Sequence, residues 1–131
     1  MTEVHVAVGV ILDAERNILL TRRAADAHQG SLWEFPGGKV EAGETVQAAL
    51  SRELAEELGI EVSASEPLIE IRHDYGDKRV FLDVHIVPAF AGQPSGLEQQ
   101  PMAWVSAAEL AGYEFPAANV PIVKAVQAYL R

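Results

Sequence analysis

Cysteine is absent from the 131-residue chain. Its absence excludes disulfides, thiolate metal sites and cysteine nucleophiles, and is compatible with a reducing cytosol. Cationic residues are few, 10 Lys and Arg against 19 Asp and Glu, for a formal net charge of −9. A surface of that sign disfavours stable binding to DNA or RNA, whose phosphates are neutralised by Lys and Arg. It would repel a polyphosphate ligand as well, unless bound metal and a few local cations offset the field. Nowhere does an apolar run approach the roughly 18 residues that a membrane span needs, and the N-terminus has no charged-then-apolar leader. These absences lead us to expect a cytoplasmic protein, a monomer without membrane or nucleic-acid partners. Repeats, linkers and low-complexity blocks are missing too, so residues 1–131 are expected to form a single domain. Apolar residues make up 49% of it, enough to bury a core.

Strand and helix signals then follow one another along the chain. Val4, Val6, Val8, Val10 and Leu12 alternate with His5, Ala7, Gly9 and Ile11, which predicts a strand over Glu3 to Leu12. Asp13 to Asn17 reads as a turn and Ile18 to Arg22 as the returning strand. Arg22 to Gly30 is polar loop, and Trp33 to Gly38 is a short extended piece running into a Gly-Gly loop. Leu68 to Tyr75 and Arg79 to Phe90 alternate as two strands about a hairpin at Gly76-Asp77. A loop from Ala91 to Pro101, a short strand around Trp104 and a small helix through Leu110 come next. Ala117 to Arg131 closes as an amphipathic helix with Val120, Val123, Val126 and Leu130 facing inward. Trp33 and Trp104 are expected as core anchors, and His5, His73 and His85 as structural or exposed residues on strand faces. This order of elements predicts an α/β (α+β) sandwich with a mixed sheet.

Chemistry concentrates between Gly38 and Ile60, which read Gly-x5-Glu-x7-Arg-Glu-Leu-x-Glu-Glu-x-Gly-Ile. From Thr45 to Leu58 there is no Gly or Pro, so a helix is predicted, ended by Gly59 in a left-handed conformation. Leu50, Leu54 and Leu58 form a buried stripe, and Glu53, Glu56 and Glu57 lie within about 100° of arc beside it. Three like charges there repel one another, and they crowd the end of the helix, where its dipole disfavours anions. A bound divalent cation would relieve both costs, and carboxylate oxygens suit Mg²⁺ or Mn²⁺. An acidic, solvated helix face is the plain alternative for a glutamate run taken alone. The Gly37-Gly38 pair is no Walker loop, because the Gly-Lys-Ser/Thr ending is absent.

Gly38, Glu44, Arg52, Glu53, Leu54, Glu56, Glu57, Gly59 and Ile60 together resemble the signature box of the Nudix hydrolases, with no departure. The resemblance implies an α/β/α sandwich, and metal-assisted hydrolysis of a nucleoside diphosphate linked to another group. It further implies that Glu53, Glu56 and Glu57 bind metal, joined by the Gly37 carbonyl, with Glu53 activating water and Arg52 orienting Glu53. Nine residues separate Glu44 from Glu53, which puts them on opposite sides of an ideal helix. Glu44 can support the site only from the bend leading into the helix. Arg22-Arg-Ala-Ala-Asp-Ala-His28, Glu34-Phe-Pro-Gly-Gly-Lys39 and Phe115-Pro-Ala-Ala-Asn119 are similar to segments of the branch of the family that clears 8-oxo-dGTP from the nucleotide pool. The segment from Arg72 to Arg79 matches that branch less well.

By that resemblance Arg23, His28, Glu34, Phe35, Pro36, Gly37, Gly38, Lys39 and Asn119 would bind substrate. Glu98 would act at the metal or as an alternative base. The implied reaction converts a nucleoside triphosphate, preferably 8-oxo-dGTP, to its monophosphate and pyrophosphate, by attack at the inner phosphorus distal to the nucleoside. Another dNTP, ADP-ribose or an RNA 5′ end as substrate, a nucleotide-binding module without catalysis, and a purely structural acidic domain are the rival readings. Asn119 could instead cap the closing helix, since Asn is favoured at that position.

Overall fold

A computed structural model describes residues 2–26 and 30–131. Its centre is β1 (Glu3–Ile11), which lies between β4 (Gly37–Lys39) and β6 (Arg79–Ala91). β1 runs parallel to β6, with Val4 opposite Val80 and Val10 opposite Ile86, and antiparallel to β4. β5 (Glu61–Asp74) closes the far edge, antiparallel to β6, giving a mixed four-stranded sheet in the order β4-β1-β6-β5. A smaller antiparallel sheet sets β2 (Ile18–Arg22) between β3 (Trp33–Glu34) and β7 (Met102–Val105).

From Ala7 onward β1 is buried, with both of its faces covered. Ala7 and Ile11 join Leu50, Leu54, Leu58 and Val87 under α1 (Val46–Leu58). Val8, Val10 and Leu12 join Val84, Ile86, Ile122 and Val126 on the other face, where α2 (Val120–Tyr129) packs. A mixed sheet with a helix on each face is the expected α/β/α arrangement. α1 is bounded by Thr45, whose side chain accepts from the Ala48 N–H, and by Gly59 at φ 71° and ψ 22°, the left-handed stop read from the sequence.

Three expectations need correction. β5 begins at Glu61 rather than Leu68. Its first half crosses register shifts at Val62/Ala64, Ala64/Glu66 and Pro67/Ile69, which erase the alternation a regular strand shows. Pro67 is tolerated because β5 is an edge strand. Val120 does not face inward: it is 46% exposed, and Ile122 and Val126 are the buried positions of α2. A 3-10 turn over Ala117–Asn119 precedes the helix and resets its phase. Trp104 is not a core anchor. It is 37% exposed on β7, an edge strand of the smaller sheet, while its neighbour Val105 turns inward. Trp33 is half-buried and packs edge-on against Tyr113. His5 and His85 both bond the Asp83 carboxylate at 3.1 Å, with His85 buried.

Candidate active site

Arg52 organises the acidic helix. Its Nε and Nη2 donate to the two oxygens of Glu44 at 2.7 and 2.9 Å, a bidentate pair. Nη1 donates to Glu53 Oε1 at 2.9 Å and to Glu56 Oε2 at 3.4 Å, and Nη2 also donates to the Lys39 carbonyl at 3.0 Å. Glu44 precedes the helix cap Thr45, on the bend where alone it could reach the site, and its Oε1 also accepts from the Glu41 N–H. The Arg52 guanidinium holds the Glu44 carboxyl at about 2, well below the ordinary range. These bonds tie the helix to the strand below it and orient Glu53.

The Glu53 carboxylate lies on Gly38. A Cβ at Gly38 would come within 2.2 Å of Glu53 Cδ and 2.3 Å of Oε2, so any side chain there would displace the carboxylate. Glu57 lies beside Glu53, and burial together with the Glu53 charge pushes its carboxyl up to about 9. A hydrogen bond to Glu53, and the charges of Glu98 and Glu34, act in the same direction. Its Oε2 is buried without a hydrogen-bond partner. Glu56 is exposed on the outer side, within reach of Arg52. Among the described residues no three acidic or histidine side chains form a ready-made metal cage. Burial and the neighbouring charges favour a proton on the Glu57 carboxyl. The orphaned oxygen and the crowded carboxylates fit a hard divalent cation, which would take the place of that proton.

Glu98 is exposed, in a loop fastened to the end of α1. The Leu97 N–H donates to the Glu57 carbonyl at 3.0 Å. Gln100 reaches the same carbonyl through Nε2 at 3.1 Å, while its Oε1 accepts from the Glu98 N–H at 2.9 Å. Sequence reasoning missed Gln100, and no periodicity could have supplied it.

A cleft of ≈ 220 Å³ opens on the other face of β1. It brings together Arg23, Glu34, Phe35, Gly37, Gly38, Lys39 and Asn119 of the expected substrate residues. Gly38 therefore joins the cleft to the carboxylates. Arg23 Nη1 bonds Glu34 Oε1 at 2.7 Å, yet burial outweighs that pairing and raises the Glu34 carboxyl. The Phe35 ring is buried and stacks on Phe115 at 5.4 Å. Pro36 is buried, and its carbonyl accepts from the Gly9 N–H. His28 lies outside the described residues. Asn119 has helical backbone angles, φ −85° and ψ −14°, and its side chain makes no capping bond, so it does not serve as the helix cap. Tyr75, Lys78 and the inner face of β1 at Val4, Val6 and Val8 also line the cleft. The alternation along β1 gave the three valines away; nothing in the sequence singled out Tyr75.

The NUDIX domain model matches residues 7–125. The chain belongs to the Nudix family. It is 40% identical to the 8-oxo-dGTP diphosphatase of Escherichia coli over 123 residues, 94% of this chain and 95% of that protein. It is 37% identical to the CTP pyrophosphohydrolase of the same organism over 121 residues, 92% of this chain and 90% of that one. A solved MutT structure, from a comparison of the Aliivibrio salmonicida and Vibrio cholerae proteins, superposes with a TM-score of 0.88 at 42% identity and covers 98% of this chain and 99% of its own. The chain is thus a Nudix hydrolase, and Nudix hydrolases use divalent metal ions.

The buried carboxyl gives a pH prediction. A proton bound by Glu57 up to about pH 9, against the ordinary 4.5, stabilises the metal-free fold below the lower value. That contribution is lost as pH rises through the higher value, because the unfolded chain then binds fewer protons. A cation bound at Glu57 would require the carboxylate, so its binding would release a proton and strengthen with pH. At a concentration 100-fold above Kd it should add about 2.7 kcal/mol, several degrees in Tm. Thermal melts in EDTA and in Mg²⁺, at about pH 6 and pH 8, are expected to diverge more at the higher pH. Glu57→Gln should reduce both the divergence and the metal-induced rise. The same rise in wild type and mutant would remove Glu57 from the metal site.

Proposed function

We propose that this chain is a single-domain, monomeric, cytoplasmic nucleoside triphosphate pyrophosphohydrolase. It would use Mg²⁺, or Mn²⁺, and prefer 8-oxo-dGTP, releasing 8-oxo-dGMP and pyrophosphate. The observation that carries this reading is that Asn119, whose side chain makes no capping bond, lines the same cleft as Gly38, against which the Arg52-held Glu53 carboxylate lies. The similarity to 8-oxo-dGTP diphosphatase over 94% of the chain supports it.

Glu53, Glu56 and Glu57, with the Gly37 carbonyl and Glu98, would hold the cation. When bound, it would neutralise the phosphates and lower the pKa of a water. Glu53 takes the proton of the attacking water, with Arg52 and Glu44 fixing its orientation, and Glu98 is the alternative base. Arg23 and Lys39 supply the local positive charge that an acidic protein needs to accept a polyphosphate. The Phe35 backbone and the Asn119 amide meet the base. Oxidation at C8 turns guanine N7 from an acceptor into an N–H donor. A selective site must then offer an acceptor to N7–H and a donor to O6, and an Asn amide carries both.

Asn119→Ala should leave a polar base edge unpaired at a cost of roughly 1–3 kcal/mol, lowering kcat/KM for 8-oxo-dGTP about 5- to 150-fold. Pyrophosphate release from a panel of dNTPs, 8-oxo-dGTP and CTP in Mg²⁺ tests the reading. CTP belongs there because the chain is also 37% identical to a CTP pyrophosphohydrolase. Preference for CTP, or an unchanged kcat/KM in Asn119→Ala, would overturn the assignment.

A further inference from the structure

Tyr75 ends β5 in a tight hairpin. Its N–H donates to the Lys78 carbonyl at 2.8 Å, and the next N–H, of Gly76, is held by Asp74 Oδ1 at 2.7 Å. The ring lines the cleft and leans on His73, with centroids 4.5 Å apart. Its hydroxyl accepts a hydrogen bond from the Ala118 N–H at 3.0 Å, across 43 residues of sequence.

Ala118 is only 2% exposed and lies in the turn that enters α2. N–H groups at such a position have no acceptor within their own helix. A buried one without a partner is costly, so the Tyr75 hydroxyl meets a need that the turn itself cannot. Asn119 follows directly, its N–H bonded to the Pro116 carbonyl at 2.9 Å and its side chain lining the same cleft. Tyr75 and Asn119 therefore both line the cleft, and the phenol bonds the turn that carries Asn119.

We propose that the Tyr75 hydroxyl sets the position of Asn119, which makes Tyr75 a specificity-determining positioning residue. The inference rests on the reading that Asn119 meets the base. An amide discriminates between donor and acceptor patterns only while its orientation is fixed. If the turn can shift, the amide adjusts and accepts guanine and its oxidised form more equally.

Tyr75→Phe keeps the ring and removes the hydroxyl that accepts from the Ala118 N–H. In the ligand-free mutant, hydrogen exchange at the Ala118 amide should accelerate at least about tenfold, since the bond that protects it is gone. The ratio of kcat/KM for 8-oxo-dGTP to that for dGTP should fall about 5- to 30-fold, through KM rather than kcat. Added to Asn119→Ala, Tyr75→Phe should change that ratio by less than about twofold, because a residue acting through another is silent once the other is gone. Unchanged exchange at Ala118 would overturn the inference, as would losses that simply add in the double mutant. If Asn119→Ala lowers the ratio and Tyr75→Phe does not, this inference falls and the base reading stands. If neither lowers it, both fall.

Discussion

Glu53→Gln is expected to lower kcat at least about 10²-fold with the fold retained, the scale of general-base removal. The amide keeps the shape of the carboxylate and can still accept from Arg52 Nη1, but it cannot take a proton from water. The fold should survive because α1 is held elsewhere, by buried Ala49, Leu50, Leu54 and Leu58 and by its caps at Thr45 and Gly59. Lost charge also weakens the cation, so the rate must be measured as pyrophosphate release across a Mg²⁺ titration. A deficit that disappears at high Mg²⁺ would make Glu53 a ligand and not the base. Glu98→Gln is the control. It sits on an exposed loop whose backbone is tied to the end of α1 through Gln100, and a deeper kcat loss there than in Glu53→Gln would exchange the two roles.

The parts of this site that could be read in advance are those written in local periodicity. Leu50, Leu54 and Leu58 recur at helical spacing and are buried, and Gly59 stops the helix in the conformation that glycine adopts most easily. The spacing of Glu44 from Glu53 allows it only the bend before the helix, and the bidentate bond from Arg52 is what that placement provides. The first half of β5 was illegible because its bulges break the two-residue repeat. Periodicity alone puts Val120 on the wrong face, because the 3-10 turn before α2 shifts the helix start, and a change of start rotates every later position. A large aromatic ring such as Trp104 suits a core, but its place on an edge strand, which leaves one side open, is not written in the local sequence. Contacts that join distant segments left no trace in spacing: Tyr75 to Ala118 and Gln100 to Glu57 each span 43 residues. The Gly38 contact with Glu53 belongs with them, since motif spacing marks both positions without saying that one lies on the other.

That contact yields the other large expected effect. Gly38→Ala places a methyl group where Glu53 now lies, 2.2 Å from Cδ and within 2.6 Å of both carboxylate oxygens. Backbone strain is not the cause, since Gly38 has no positive φ. The carboxylate must therefore move, and it is tethered by Arg52, which is itself held by Glu44 and the Lys39 carbonyl. A displacement of about 1 Å at a reacting group can cost 10²-fold, so kcat should fall by at least about that factor while α1 stays folded. The loss should also depend on the carboxylate. In a Glu53→Gln background the base is already gone, and Gly38→Ala should lower kcat by less than about threefold further, the non-additivity of two changes acting on one group. Melting curves and pyrophosphate-release rates for both single mutants and the double mutant decide it. If each substitution costs its full factor independently, Gly38 contributes through the cleft or the strand rather than by seating Glu53. If Gly38→Ala turns over at the wild-type rate, the Glu53 carboxylate does not need the position it occupies against Gly38.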